Sequence, residues 1–186
     1  MKIFNYEPSV VSDDISSIVE CLESGIAKPF HIKNAEEILT KKFKNNAIVC
    51  SSGTSAIHLA LLSKNIGPGD EVICPDFTFA STWNAIIYTG AKPVFVDVCK
   101  DTWCIDPDMV EKLINKKTKA IVSVDIFGNA CEYEKLNKIC KKSNISLIQD
   151  SAESLGTTYK NKNVFNLGNI SCTSFNLNKI VTSCGG

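Results

Sequence analysis

The sequence predicts an α/β fold in three layers, a mostly parallel sheet covered by helices on both faces. Three observations lead there. Short apolar runs alternate with stretches of helical periodicity along most of the chain, the pattern of βαβ units. The apolar runs are near-continuous rather than alternating, as expected for strands buried on both faces. The chain has 186 residues, of which 44% are hydrophobic, enough for one domain with a real core.

The elements follow in order. Ser12 to Gly25 reads as an amphipathic helix: Ile15, Ile18, Val19 and Leu22 share a face, Asp13 and Asp14 occupy the first turn, and a glycine closes it. A second helix is expected from Ala35 to Lys44. Strands are expected at Ala47 to Cys50, Glu71 to Cys74, Pro93 to Val98, Lys119 to Val124 and Ser146 to Gln149. Helices are expected between them at Thr54 to Asn65, Phe79 to Thr89, Pro107 to Asn115 and Glu132 to Ser143. Gly67-Pro68-Gly69-Asp70 is a turn leading into a strand, and Asp106 caps a helix with Pro107 at its first position. Near the end, Ile170 to Ser174 and Ile180 to Ser183 read as two short strands with no helix between them, a hairpin-like excursion at the end of the sheet. No repeat, low-complexity tract or linker interrupts the series.

Composition excludes several functions. The 20 basic and 20 acidic side chains cancel, and every basic residue is lysine. Without arginine the chain lacks the best side chain for bidentate phosphate or guanine recognition, and without net charge it has no general attraction to polyanions. Nucleic acid and anionic membrane are therefore not expected partners; small molecules and other protein chains are. Nine cysteines lie singly, with no Cys-x-x-Cys and only two histidines, which argues against zinc. Their odd number, their places inside apolar runs such as Ala47 to Cys50, and a polar start from Met1 to Glu7 fit reduced thiols in the cytoplasm. No apolar run approaches the roughly 20 residues that span a bilayer.

Ligands of open parallel sheets bind beyond the carboxyl ends of the strands. Ser51-Ser52-Gly53-Thr54-Ser55 follows the first expected strand and opens a helix. Small residues there let a phosphate reach the backbone N–H groups, and Thr54 and Ser55 add hydroxyl donors. On spacing alone an ordinary strand-to-helix turn with serine and threonine caps also accounts for it. The run matches neither Gly-x-Gly-x-x-Gly nor the lysine-bearing P-loop. Asp150 follows a buried strand, where it is a site acid or a simple cap. Lys179, in Ser174-Phe175-Asn176-Leu177-Asn178-Lys179, is a surface lysine unless its neighbours give it a task. A phosphate cradle, an acid, a serine and a lysine in this order are the parts of a pyridoxal phosphate (PLP) site. The helix start takes the phosphate, the carboxylate keeps the ring nitrogen protonated, and the lysine takes the aldehyde and later carries a proton. Phe79, after the strand ending at Cys74, is placed to stack on the ring.

The runs SSGTSA at 51–56, GPGDEV at 67–72, PDFTFAST at 75–82, QDSAESLG at 149–156 and SFNLNK at 174–179 resemble the nucleotide-sugar aminotransferases of the DegT/DnrJ/StrS type. The resemblance extends from near the N-terminus to the last residue, with five motifs in order. It implies the large domain of fold-type I PLP enzymes, in homodimers with active sites at the subunit interface. It further implies that Lys179 is the Schiff-base lysine and Asp150 the partner of the pyridine nitrogen. Thr54, Ser55 and Ser174 would hold the phosphate, Phe79 would stack on the ring, and Glu153 would lie near the ring oxygen. Glutamate at 153 resembles the perosamine and N-acetyl-sugar branches, which move an amino group from glutamate to a 4-keto nucleotide sugar for surface polysaccharide. Two departures accompany the likeness. Ser24 to Phe30 differs from a stretch richer in hydroxyls and glycine near the substrate, and relatives continue well beyond the glycines that follow the lysine. The expectation is an N-terminal portion, residues 1–186, without the smaller C-terminal domain. A sugar dehydratase on the same scaffold would carry histidine in place of Lys179. A catalytically silent binding or assembly module is the remaining alternative.

Overall fold

The structure, a computed structural model, describes residues 10–25 and 29–183. Ile26, Ala27 and Lys28 of the departing segment, and the glycines at 185 and 186, lie outside the described residues. In chain order the helices are α1 (Ser12–Ser24), α2 (Phe30–Phe43), α3 (Gly53–Leu62), α4 (Ser81–Tyr88), α5 (Pro107–Leu113) and α6 (Tyr133–Ser143). The strands are β1 (Glu71–Pro75), β2 (Lys92–Val96), β3 (Thr118–Val124), β4 (Ser146–Asp150), β5 (Thr158–Tyr159), β6 (Lys162–Asn163) and β7 (Ile170–Cys172).

Five strands form one sheet in the order β2-β1-β3-β4-β7, and every neighbouring pair is parallel. Parallel neighbours need crossovers, which α4, α5 and α6 supply. Successive strand residues point to opposite faces, so β1 feeds two cores. Val72 and Cys74 pack with Ile57 and Leu61 of α3 and Ala85 and Ile86 of α4. Ile73 packs on the other side with Val110 of α5, Leu136 and Ile139 of α6 and Phe43 of α2. The result is the expected three-layer arrangement. Strand order reverses between β1 and β3, so the sheet has its switch point, and its natural crevice, there.

Local chemistry explains the boundaries. Asp106 accepts from Asp108 N at 2.9 Å and caps α5, with Pro107 at its first position. Gly67 N donates to Asp70 Oδ2 at 3.1 Å, closing the turn before β1. In α1, Asp14 accepts from Val11 N at 2.9 Å and Gly25 ends the helix at φ 101°. Its apolar stripe is exposed at Ile15, Ile18, Val19 and Leu22. α2 starts at Phe30, earlier than expected from Ala35, because Pro29 opens it and accepts from Lys33 N at 3.0 Å.

Two expected strands do not form. Residues 47–50 join no ladder: Thr40 and Glu36 of α2 accept from Ala47 N and Val49 N at 3.1 and 3.0 Å, and a cavity of about 330 Å³ lies between the segment and β7. A strand needs a neighbour, and among the described residues none occupies that gap. Residues 180–183 are not a strand either. The chain turns back after Lys179, with Ser183 N donating to Phe175 O at 2.8 Å, so the hairpin-like excursion is replaced by β7 pairing in parallel with β4. The hairpin lies instead at β5 and β6, where Lys160 and Asn161 both have positive φ, as a type I′ turn requires. The eight described cysteines are free thiols. No helix among the described residues is long and apolar enough to cross a membrane.

Candidate active site

The carboxyl ends of β3, β4 and β7 and the start of α3 enclose a cavity of about 250 Å³. Its walls include Ser51, Ser52, Gly53, Thr54, Phe79, Asp150, Glu153, Ser174 and Lys179. The larger cavity beside β7 is lined by apolar, amide, hydroxyl and thiol side chains and has no charged group. The candidate site is therefore the smaller one, which Asp150, Glu153 and Lys179 line.

Asp150 ends β4 and is buried. Its Oδ2 accepts from Thr82 Oγ1 at 2.7 Å and its Oδ1 from Ala152 N at 3.3 Å. Burial raises its carboxyl above the usual range, against the lowering effects of Thr82, Ala152 and the Lys179 charge. No ion pair among the described residues neutralises it. Lys179 sits in the turn after β7 with its side chain only 11% exposed, and its Nζ lies 3.4 Å from Glu153 Oε1. The other oxygen of Glu153 accepts from Phe127 N at 2.8 Å, so this carboxylate is held at both ends.

α3 begins at the cavity wall. Ser52 caps it, its Oγ accepting from Ser55 N at 3.1 Å, which leaves the N–H groups of Gly53 and Thr54 as the helix's open donors. Gly53 permits a close approach: a Cβ there would stand 3.1 Å from Ser174 Cβ. Ser174 is buried beside it and accepts from Asn176 N at 3.3 Å. Thr54 lines the cavity, whereas Ser55 does not; its hydroxyl is bonded to those of Ser51 and Ser52 at 3.1 and 3.0 Å. Phe79 stands at the rim, 68% exposed.

Sequence reasoning missed the residues behind this wall. Thr82 orients Asp150 and is itself bonded to Thr78, four residues earlier in the loop before α4, at 2.8 Å. Asp125, just after β3, is buried and accepts from Tyr133 Oη at 2.5 Å, Ser151 Oγ at 2.8 Å, Ser154 Oγ at 3.1 Å and Cys131 N at 3.2 Å. Burial raises this carboxyl too, with the four donors acting against it. Asp125 thus pins both sides of the loop that carries Glu153. The hydroxyl spacing Ser151-x-x-Ser154 was the available signal.

This set combines an amine, a buried acid and a helix start with open N–H donors. Known proteins carry the same framework. GDP-perosamine synthase of Escherichia coli O157:H7 is 39% identical over 184 residues, 97% of this chain and 50% of that protein. The solved structure of Spr1654 from Streptococcus pneumoniae in its PLP-form has a TM-score of 0.93 at 30% identity, covering 100% of this chain and 52% of that one. Helicobacter pylori PseC, an aminotransferase involved in the biosynthesis of pseudoaminic acid, has a TM-score of 0.89 at 33% identity, covering 99% and 50%. The chain spans about half the length of these relatives. The DegT/DnrJ/EryC1/StrS aminotransferase family matches residues 9–186, and the chain belongs to that family.

Proposed function

We propose that this chain is the cofactor-bearing part of a PLP-dependent aminotransferase, which moves an amino group from glutamate to a 4-keto nucleotide sugar for surface polysaccharide. The observation that carries this reading is the convergence of Lys179, Asp150 and the α3 N-terminus on one cavity.

The donor set fits PLP part by part. Gly53 and Thr54 N–H with the Thr54 and Ser174 hydroxyls suit a phosphate. The unpaired buried carboxylate of Asp150 suits a protonated ring nitrogen, Phe79 offers a ring face, and Lys179 offers a primary amine. When bound, PLP supplies an electron sink for negative charge developing beside the amine. Asp150 keeps that sink effective by holding a positive charge at the ring nitrogen, and Thr82 fixes the carboxylate's orientation. Glu153 positions Lys179 Nζ, and the free amine then moves a proton between the two carbons that exchange it, an effect of about 10² to 10⁴-fold. With no arginine among these residues, the grip on the glutamate carboxylates falls to other donors of this chain, to a region of the protein outside it, or to a partner subunit in a cytoplasmic homodimer.

A second reading, a module that binds PLP without turnover, draws on the exposure of Phe79, the ring expected to cover the cofactor. One experiment addresses both. Wild-type protein mixed with PLP should gain a visible absorption band and a borohydride-stable attachment at Lys179, and Lys179→Ala should show neither. An unchanged spectrum for wild type defeats both readings. Attachment without glutamate-dependent amination selects the second.

A further inference from the structure

We propose that Cys104 and Cys131 form a reversible oxidation site, at which a peroxide closes a disulfide between the excursion after β2 and the loop between β3 and α6. The site is independent of the PLP reading above.

The two cysteines come from separate stretches of sequence that the fold clamps together. The excursion is a narrow loop closed by the Val98–Ile105 bridge, with Cys99 N donating to Cys104 O at 2.8 Å. It rests against residues 129–131. Cys104 Sγ donates to Asn129 O at 3.3 Å, and Asn129 Nδ2 donates to Thr102 O at 3.1 Å. Cys131 follows two residues after Asn129, and both cysteines are buried in one apolar cluster. On the β3 side, Cys131 Sγ donates to Val124 O at 3.1 Å and its N–H to Asp125 Oδ1 at 3.2 Å. Neither cysteine lines the Lys179 cavity.

Proton affinity separates this pair from the other buried thiols. Burial raises the thiols of Cys74, Cys140 and Cys172 above the ordinary range. The Cys104 thiol is lowered instead, first by a hydrogen bond with Cys131, against the effects of burial and the Asp125 charge. The Cys131 thiol is held well above its ordinary value, first by that same contact and then by burial. A thiol that ionises readily, touching one that keeps its proton, supplies an attacking group and a resolving group side by side.

The excursion also gives the oxidant its way in. Trp103, next to Cys104, is half exposed and has φ 60°, a left-handed backbone disfavoured for a bulky residue. Lys100 and Asp101 at the tip are exposed as well. A strained loop with an exposed tip opens ahead of the core, and its opening uncovers Cys104.

The chemistry balances with hydrogen peroxide as oxidant. The Cys104 thiolate attacks one peroxide oxygen, the O–O bond breaks, and the departing hydroxide takes up the thiol's proton as water. Cys104 is then a sulfenic acid. The Cys131 sulfur attacks that sulfur, the S–S bond forms as the S–O bond breaks, and the hydroxyl leaves as a second water with the Cys131 proton. Two thiols have lost two electrons, and the peroxide has gained them. An external dithiol reverses the change.

The test treats the full chain without cofactor with hydrogen peroxide, alkylates the remaining thiols and maps proteolytic peptides by mass spectrometry. A peptide pair joined through Cys104 and Cys131 is expected, and dithiothreitol should separate it. Cys104→Ser and Cys131→Ser should each remove the bridge, whereas Cys140→Ser, elsewhere in the same cluster, should leave it. In Cys131→Ser the Cys104 sulfenic acid should persist and be captured by dimedone. Bridging residues 104 and 131 restricts the unfolded chain, so oxidised wild type should have a higher urea midpoint than the reduced form. The wild-type map and midpoint are read without any variant, so they decide even where a serine variant fails to fold. Several results overturn the site: no bridge, a bridge through other cysteines, or a bridge that forms only in urea. A midpoint no higher after oxidation does so too, because it would show that the fold must be distorted to bring the sulfurs together.

Discussion

Thr82 Oγ1 donates a 2.7 Å hydrogen bond to Asp150 Oδ2 across 68 residues of sequence, joining the second residue of α4 to the last residue of β4. It is the shorter of the two hydrogen bonds to this carboxylate, and it favours the charged form that a protonated ring nitrogen needs.

Thr82→Val should therefore impair the site without unfolding it. Valine fills the same volume but cannot donate, so Asp150 keeps only the longer bond from Ala152 N. Its carboxyl should be protonated at higher pH than in wild type. PLP affinity should fall by roughly tenfold, and the acid limb of its pH profile should move upward. Spectrophotometric PLP titrations from pH 5 to pH 8 test this, and an unmoved limb would show that Thr82 has no hold on the carboxylate's charge.

The buried acids also set the pH dependence of stability without cofactor. Asp125 and Asp150 both have their carboxyls raised by burial. A raised folded value means that the native state holds protons the unfolded chain has released. Stability from these groups is thus complete below the unfolded value of about 4 and is lost as pH rises through the higher folded values. The urea midpoint of the cofactor-free chain should decline over that range. Asp150→Asn should flatten the decline while preventing tight PLP binding; a midpoint in the variant with wild-type pH dependence would contradict the assignment.

Asp125→Ala should cost more than any change at the cavity rim. It leaves the Tyr133, Ser151 and Ser154 hydroxyls and the Cys131 N–H buried without this acceptor, and it frees the loop carrying Glu153. A loss of about 3 kcal/mol or more is expected from unmet buried donors. Asp125→Asn, which keeps one acceptor oxygen, should lose less. Chemical denaturation of both variants settles the order.

What the sequence could express was local. Runs such as Glu71 to Cys74 and Lys119 to Val124 became strands because both faces find apolar partners, and Asp106-Pro107 started a helix because capping acts within one turn. Ala47 to Cys50 is at least as apolar as those strands, yet strand formation is a property of pairs. Its backbone donors were taken by Thr40 and Glu36 instead. The site divides in the same way. Thr54, Ser174, Asp150 and Lys179 follow the ends of expected elements and could be picked out, whereas Thr82 and Asp125 act through contacts that only the folded sheet creates. Ser55 shows the converse: the motif includes it, but its hydroxyl faces Ser51 and Ser52 rather than the cavity.

Gly53 offers the cleanest separation of phosphate binding from the rest of the site. An added Cβ would stand 3.1 Å from Ser174 Cβ, tight enough to push the start of α3 away from Ser174 by a few tenths of an ångström. Both residues border the place where the phosphate is expected, while Asp150 and Lys179 lie on other elements. Gly53→Ala should thus weaken PLP binding by roughly tenfold, the scale of one disturbed charge-assisted contact. It should leave pyridoxal, which has the aldehyde and ring but no phosphate, nearly unaffected. Parallel titrations of the two ligands measure the difference. Equal losses for both would place the phosphate elsewhere, because a displacement confined to the α3 start has no route to the ring that bypasses it.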